Sequence, residues 1–174
     1  MVGSMSVIRP ALATDAEAIA HVHVQSWRTT YSGIVPDDYL AQLNEGQRAK
    51  QWREWLGKDV PILVAEMEKQ VVGFAGGGPI REPVKDCDAE LYAIYLLQKA
   101  QRSQIGSELL RQLASVLSER GFKSMAVWVL EKNPCKLFYP RKGASYALAK
   151  EIEIGGAKLT EEAYTWSDLK SLRG

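Results

Sequence analysis

Between residues 90 and 120 a largely apolar run, Glu90-Leu-Tyr-Ala-Ile-Tyr-Leu-Leu97, gives way to the polar segment Gln98–Ser103 and then to a repeat of different period. Ile105, Leu109, Leu113, Val116 and Leu117 recur at helical spacing, so Gln104 to Arg120 reads as an amphipathic helix with Gly121 as its C-terminal stop. A strand apolar on both faces belongs inside a sheet, and a long amphipathic helix directly behind it covers that sheet. The start of such a helix offers unpaired amides and the positive end of the helix dipole to an anion. Gly106 lets a ligand approach the backbone closely, and Arg102 adds a positive charge beside it. The segment is neither a Walker loop nor a GxGxxG dinucleotide fingerprint.

The rest of the chain supplies strands and helices around that unit. Ser6–Arg9 is a short strand. Thr14-Asp15-Ala16-Glu17 has the spacing of a capping box and predicts a helix running to about Thr29. Pro36-Asp37-Asp38 opens a second helix, and Gln47–Leu56 forms a third. Ile62–Met67 and Val71–Ala75, joined by Glu68-Lys69-Gln70, read as an antiparallel hairpin whose second strand ends at Gly76-Gly77-Gly78-Pro79. The charged loop Glu82–Asp88 precedes the central strand, Ala89–Leu97. Ser124–Leu130 is a further buried strand, with a short helix from Pro134. Ala144–Ile154 and Leu159–Trp166 are strands about a Gly155-Gly156 turn. With no repeat or linker, residues 5–174 read as one mixed α/β domain, and Met1-Val2-Gly3-Ser4 as an expression remnant.

At 174 residues, with 46% apolar and 25% charged, the chain can bury its own core, which excludes fibrous, coiled-coil and disordered classes. No apolar run reaches membrane-span length and no leader peptide opens the chain, so a cytoplasmic location without a membrane partner is expected. Cys87 and Cys135 form no metal or redox pattern and are expected to stay reduced. His21 and His23, two apart on a helix, point to different faces, so no metal is expected. The net charge of +1 argues against nucleic acid, but it is unevenly spread. Residues 98–142 hold nine basic and three acidic side chains, a net of +6, leaving −5 on the rest. Such a stretch suits a small polyanion, or equally a set of solvated helix faces.

The segment Gln101-Arg102-Ser103-Gln104-Ile105-Gly106, continuing into Ser107-Glu108-Leu109-Leu110, resembles a family signature. It is similar to the Gln/Arg-x-x-Gly-x-Gly/Ala motif of the GNAT superfamily, the acetyl-CoA-dependent N-acetyltransferases, which lies between central strand and long helix. A second stretch, Asn133-Pro-Cys-Lys-Leu-Phe-Tyr139-Pro-Arg-Lys-Gly143, resembles the family's Asn-x-x-Ala-x-x-x-Tyr-x-x-x-Gly-Phe. The element order fits from about residue 6 to residue 168. Gln104 stands at the first glycine position but keeps its backbone N–H, and Ala144 replaces the usual Phe. Pro140 follows Tyr139 directly and biases it away from helical dihedrals. The resemblance implies a mixed, mostly antiparallel sheet of six to seven strands flanked by four to five helices.

It also implies roles. The acetyl-CoA pyrophosphate would lie on the loop Gln101, Arg102, Ser103, Gln104, Ile105, Gly106 and Ser107, with the pantetheine pairing like an added strand near Ile94, Tyr95 and Leu96. Transfer would be direct, through a tetrahedral intermediate and without a covalent enzyme intermediate, so Cys135 is expected only to pack. Tyr139 would protonate the departing thiolate or hold it by a hydrogen bond, or else simply pack beside Phe138. Glu90, eleven residues before Gln101, would take the amine's proton as general base, or else serve as a strand-edge glutamate or only attract the cationic substrate. Asn133 would bond the pantetheine, cap a helix before Pro134, or do both.

On the acceptor side, the resemblance places Trp27, Tyr31 and Asp37 at the pocket, where aromatic walls and a carboxylate suit a cationic amine. The alternative assigns the aromatics to the core and Asp37 to a helix start. Trp52 and Trp55 are expected to share one face. The expected partner is a small-molecule or peptide amine, and family analogy allows a homodimer. Two other readings stay open: an acetyl-CoA-binding sensor without transfer activity, and an unrelated α/β nucleotide-binding protein. A longer acyl-CoA also fits.

Overall fold

The structure, a computed structural model, describes residues 6–172. The tetrapeptide expected to be an expression remnant lies outside the described residues. The elements in chain order are β1 (Ser6–Pro10), α1 (Ala16–Thr30), α2 (Asp37–Gln42), α3 (Glu45–Leu56), β2 (Ile62–Met67), β3 (Gln70–Pro79) and β4 (Ala89–Leu96). There follow α4 (Ile105–Glu119), β5 (Met125–Leu130), α5 (Phe138–Arg141), β6 (Ser145–Ile154) and β7 (Ala157–Trp166). Short 3₁₀ turns occupy Ala13–Asp15, Gln98–Ala100 and Leu169–Leu172. The seven strands form one sheet in the order β1-β2-β3-β4-β5-β7-β6, antiparallel throughout except between β4 and β5. This is the mixed, mostly antiparallel α/β architecture expected. No helix among the described residues is long and apolar enough to cross a membrane.

The apolar stripe of α4 explains the centre. Leu109, Leu110, Leu113, Ala114 and Leu117 are fully buried, and Gly121 (φ +96) lets the chain turn back as the Phe122 N–H reaches the Leu117 carbonyl at 3.1 Å. α1 and α3 cover the opposite face of the same strands, bringing His23 and Trp52 against Phe74. Truncating any one of these α4 leucines to alanine costs about 2–5 kcal/mol in sites of this kind.

Three local expectations need correction. β3 does not stop at Gly76 but runs through all three glycines to Pro79. A Cβ on Gly77 would lie 2.7 Å from the Glu90 carbonyl oxygen, so the glycine serves close strand approach rather than a turn. The capping pair is not Thr14 with Glu17: the Asp15 carboxylate accepts the Leu12 N–H (2.7 Å) and is clamped by Arg9 (2.8 Å). The Arg9 guanidinium holds the Asp15 carboxyl below its ordinary range. The helix expected from Pro134 begins only at Phe138, after a turn in which the Cys135 N–H bonds the Asn133 side-chain oxygen (2.7 Å).

Candidate active site

β4 and β5 are paired only at Ala89↔Met125, Glu90↔Ala126 and Leu91↔Val127. Beyond that point they diverge: β4 runs on into the loop before α4, while β5 stays paired with β7 along its whole length. The fork opens a cleft of about 250 Å³ that passes through the sheet. Its walls are Leu91–Leu96 on one side and Val127–Val129 on the other; the α4 loop closes one end and Ser26, Thr30 and Tyr31 the other. Tyr92 is an extra residue in β4: Leu91 pairs with Gly77 and Ala93 with Gly76, so Tyr92 bulges.

The α4 loop is shaped for an anion. Arg102 holds φ +59, a left-handed conformation uncommon for a side-chain-bearing residue, and swings the chain into the helix. Glu108 is the first α4 residue bonded in helical register, to the Gln104 carbonyl (2.9 Å), so the Gly106 and Ser107 amides stand ahead of it. The Gln101 amide donates to the Leu96 carbonyl (3.2 Å) and ties the loop to the strand end. Gln101, Arg102, Ser103, Gly106 and Ser107 line the cleft, as do Ile94, Tyr95 and Leu96. Gln104 and Ile105 do not; Gln104 is exposed at the helix cap and Ile105 is buried in the core. A Cβ on Gly106 would meet the Leu96 Cδ1 at 3.4 Å, so that wall has little room for a larger residue.

Tyr139 lines the same cleft, its ring packed against Phe138, Tyr164 and Trp166. The expected effect of Pro140 does not occur. Tyr139 sits inside α5, and Pro140 falls in the first turn, where a missing N–H costs nothing. Burial pushes the Tyr139 phenol up, with Tyr95 and Tyr31 adding to the effect, so it is protonated. Asn133 is joined to Tyr31 by a 3.0 Å bond from its side-chain amide to the phenol oxygen, and both line the cleft. Burial likewise pushes the Tyr31 phenol up.

Glu90 is placed differently from the expectation. Its side chain is 3% exposed, is not among the cleft-lining residues, and accepts both the Arg81 guanidinium (2.6 Å) and the Arg81 N–H (3.1 Å). Of the acceptor residues, Tyr31 lines the cleft and Trp27 packs edge-on against it at 4.7 Å. Asp37 is exposed at the start of α2, away from the cleft lining. Behind the wall, the Tyr95 ring stacks on His23 (5.2 Å), whose Nδ1 accepts the Trp52 indole N–H at 3.3 Å. Burial and the positive charge of Arg48 push the His23 imidazole down to about 4. Sequence reasoning missed Tyr92 and Trp128, which line the fork; Cys135, expected only to pack, is instead exposed and lines the cleft with Tyr139. Only the strand alternation Ala126, Trp128, Leu130 hinted at an aromatic on the sheet face.

Residues 22–143 match the acetyltransferase (GNAT) family. The uncharacterised N-acetyltransferase YuaI of Bacillus subtilis (strain 168) is 44% identical over 170 residues, covering 97% of both chains. Among solved structures, the ribosomal-protein-alanine N-acetyltransferase of Brucella melitensis superposes with a TM-score of 0.74 at 24% identity, over 92% of this chain and 99% of that one. The PaiA N-acetyltransferase of Thermoplasma acidophilum, solved in complex with coenzyme A, gives 0.67 at 22% identity, over 91% and 98%.

Proposed function

The chain belongs to the acetyltransferase (GNAT) family, and from that premise we propose that it moves an acetyl group from acetyl-CoA directly to a primary amine. One observation carries this reading: a single through-sheet cleft is lined both by the N-terminal loop of α4 and by the Tyr139 phenol. The chain's residues fit the donor. The Gly106 and Ser107 amides, with Arg102, hold the pyrophosphate at the positive end of the α4 dipole. The main chain of Ile94, Tyr95 and Leu96, left without a β5 partner, binds the pantetheine arm as an added strand. A free backbone amide there polarises the thioester carbonyl where charge develops.

Tyr139, kept protonated by burial, donates its proton to the departing sulfur. An alkylammonium acceptor of pKa about 10 must lose a proton before attack. Glu90 is occupied by Arg81, so in this reading water takes that proton and Glu90 fixes the closed end of the fork. Cys87 and Cys135, both free thiols, suit a reducing cytoplasm.

The test is release of CoA thiol from acetyl-CoA against a panel of amines, beside a thermal-shift titration of acetyl-CoA, ATP and NAD. Stabilisation by acetyl-CoA alone, with amine-dependent thiol release, is expected. Stabilisation without thiol release from any amine would make the chain a donor-binding sensor.

A further inference from the structure

Two of the chain's own cations rest on aromatic rings at the closed end of the fork. The Arg81 guanidinium lies 4.5 Å from the Tyr92 ring centre, and the Lys150 ammonium 4.3 Å from that of Trp128. Tyr92 and Trp128 are the first residues past the last β4–β5 pair, Leu91↔Val127, and both line the cleft. Strand register puts Glu90, Trp128, Glu161 and Lys150 on one face of the sheet, the face that Tyr31 covers. Arg81 is committed to the buried Glu90.

Lys150 is not fixed in that way. It reaches in from the edge strand β6, its side chain is 34% exposed, and it is held by Glu82 (2.5 Å) and Glu161 (3.4 Å). A four-carbon stem thus seats a primary ammonium on an indole face between two carboxylates, at the rim of the cleft. The surroundings that hold this ammonium would hold any alkylammonium of similar reach. Among the described residues, three carboxylates, Glu82, Glu90 and Glu161, meet only Arg81 and Lys150 here. Burial, with Glu82 and Glu90 adding, pushes the Glu161 carboxyl up in spite of Lys150. The Trp128 indole N–H, buried and without a partner among the described residues, is a further unspent polar group at the same place.

We propose that Trp128, Glu82 and Glu161 form the cation subsite of the acceptor, and that the acceptor is a linear amine with a second, cationic nitrogen that displaces Lys150 from the indole. The reacting nitrogen then stands in the cleft while the distal one is held at the rim. This rests on the amine-acetyltransferase reading and narrows its substrate class.

Calorimetric titration of the full chain with 1,4-diaminobutane, and with 1-aminobutane as the monocationic control, reads the subsite without requiring turnover. Lys150→Met and Lys150→Gln, each checked for an unchanged melting temperature, should bind the diamine about fivefold more tightly than the parent chain and the monoamine no better. Trp128→Leu added to either variant should erase the gain. An unchanged diamine affinity in both Lys150 variants overturns the proposal, as does an equal gain for 1-aminobutane. Failure of the parent reading looks different: no amine releases thiol from acetyl-CoA, whatever the diamine titration shows.

Discussion

The seams on either side of β4 are built in opposite ways. Toward β3, seven register pairs run from Gly73↔Leu96 to Pro79↔Ala89, and glycines bring the backbones so close that a Cβ on Gly77 would strike the Glu90 carbonyl. Toward β5 there are three pairs, and then the strands part. The same strand therefore spends its main-chain hydrogen bonds on the fold along one edge and leaves them free for a ligand along the other. Tight packing is concentrated along the β3 seam, and unpaired β4 backbone along the β5 seam, where the proposed donor would lie.

That contrast can be attacked from both sides. On the open side, Tyr139→Phe should lower kcat about 100-fold while acetyl-CoA binding is kept, because one positioned acid is lost and the packing face of the ring remains. Steady-state thiol release beside a donor-binding titration checks it, and an unchanged kcat removes Tyr139 from the chemistry. On the closed side, Gly77→Ala should cost about 2 kcal/mol, since the atom in the way is main chain and not a flexible side chain. Chemical denaturation measures the loss; a neutral result would mean that the seam has slack and that the contrast is overstated.

The next effect is similar in size but spread over pH. His23, behind the Tyr95 wall, stays neutral in the folded chain down to about 4, whereas an unfolded histidine takes its proton near 6.5. As pH falls from about 6.5 to about 4, the unfolded state binds a proton that the folded state refuses, so stability present above that window is lost within it. The loss should approach about 3 kcal/mol. Melting temperatures from pH 7 to pH 4 should fall less steeply in His23→Gln. Equal slopes would move the acid sensitivity away from this wall.

What could be read from the chain follows the same division. The α4 stripe and the β2–β3 hairpin were legible because hydrophobic period reports burial directly. The α4 loop and Tyr139 were singled out by likeness of motif, and both line one cleft. The glycines of β3 misled because their composition looks the same at a turn and at a tight seam. Glu90 could be counted onto the central strand, but its partner comes from a loop, Arg81, whose course depends on tertiary contacts. Trp128, Glu161 and Lys150 meet only once β6 and β7 have been laid against β5 in register, and register is invisible in a linear pattern.

The bulge at Tyr92 has one more effect, which is a matter of parity. Leu91 looks toward α4, while Tyr92 and Ala93 both look toward α1, so the alternation skips a beat at that point. Were the same residues to run there as a regular strand, with none bulged out, everything before Tyr92 would be turned inside out. Glu90 would be driven into the oily layer under the long helix and Leu91 would take its place beside Arg81. Whether the closed end of the fork is charged or greasy is decided by an odd number.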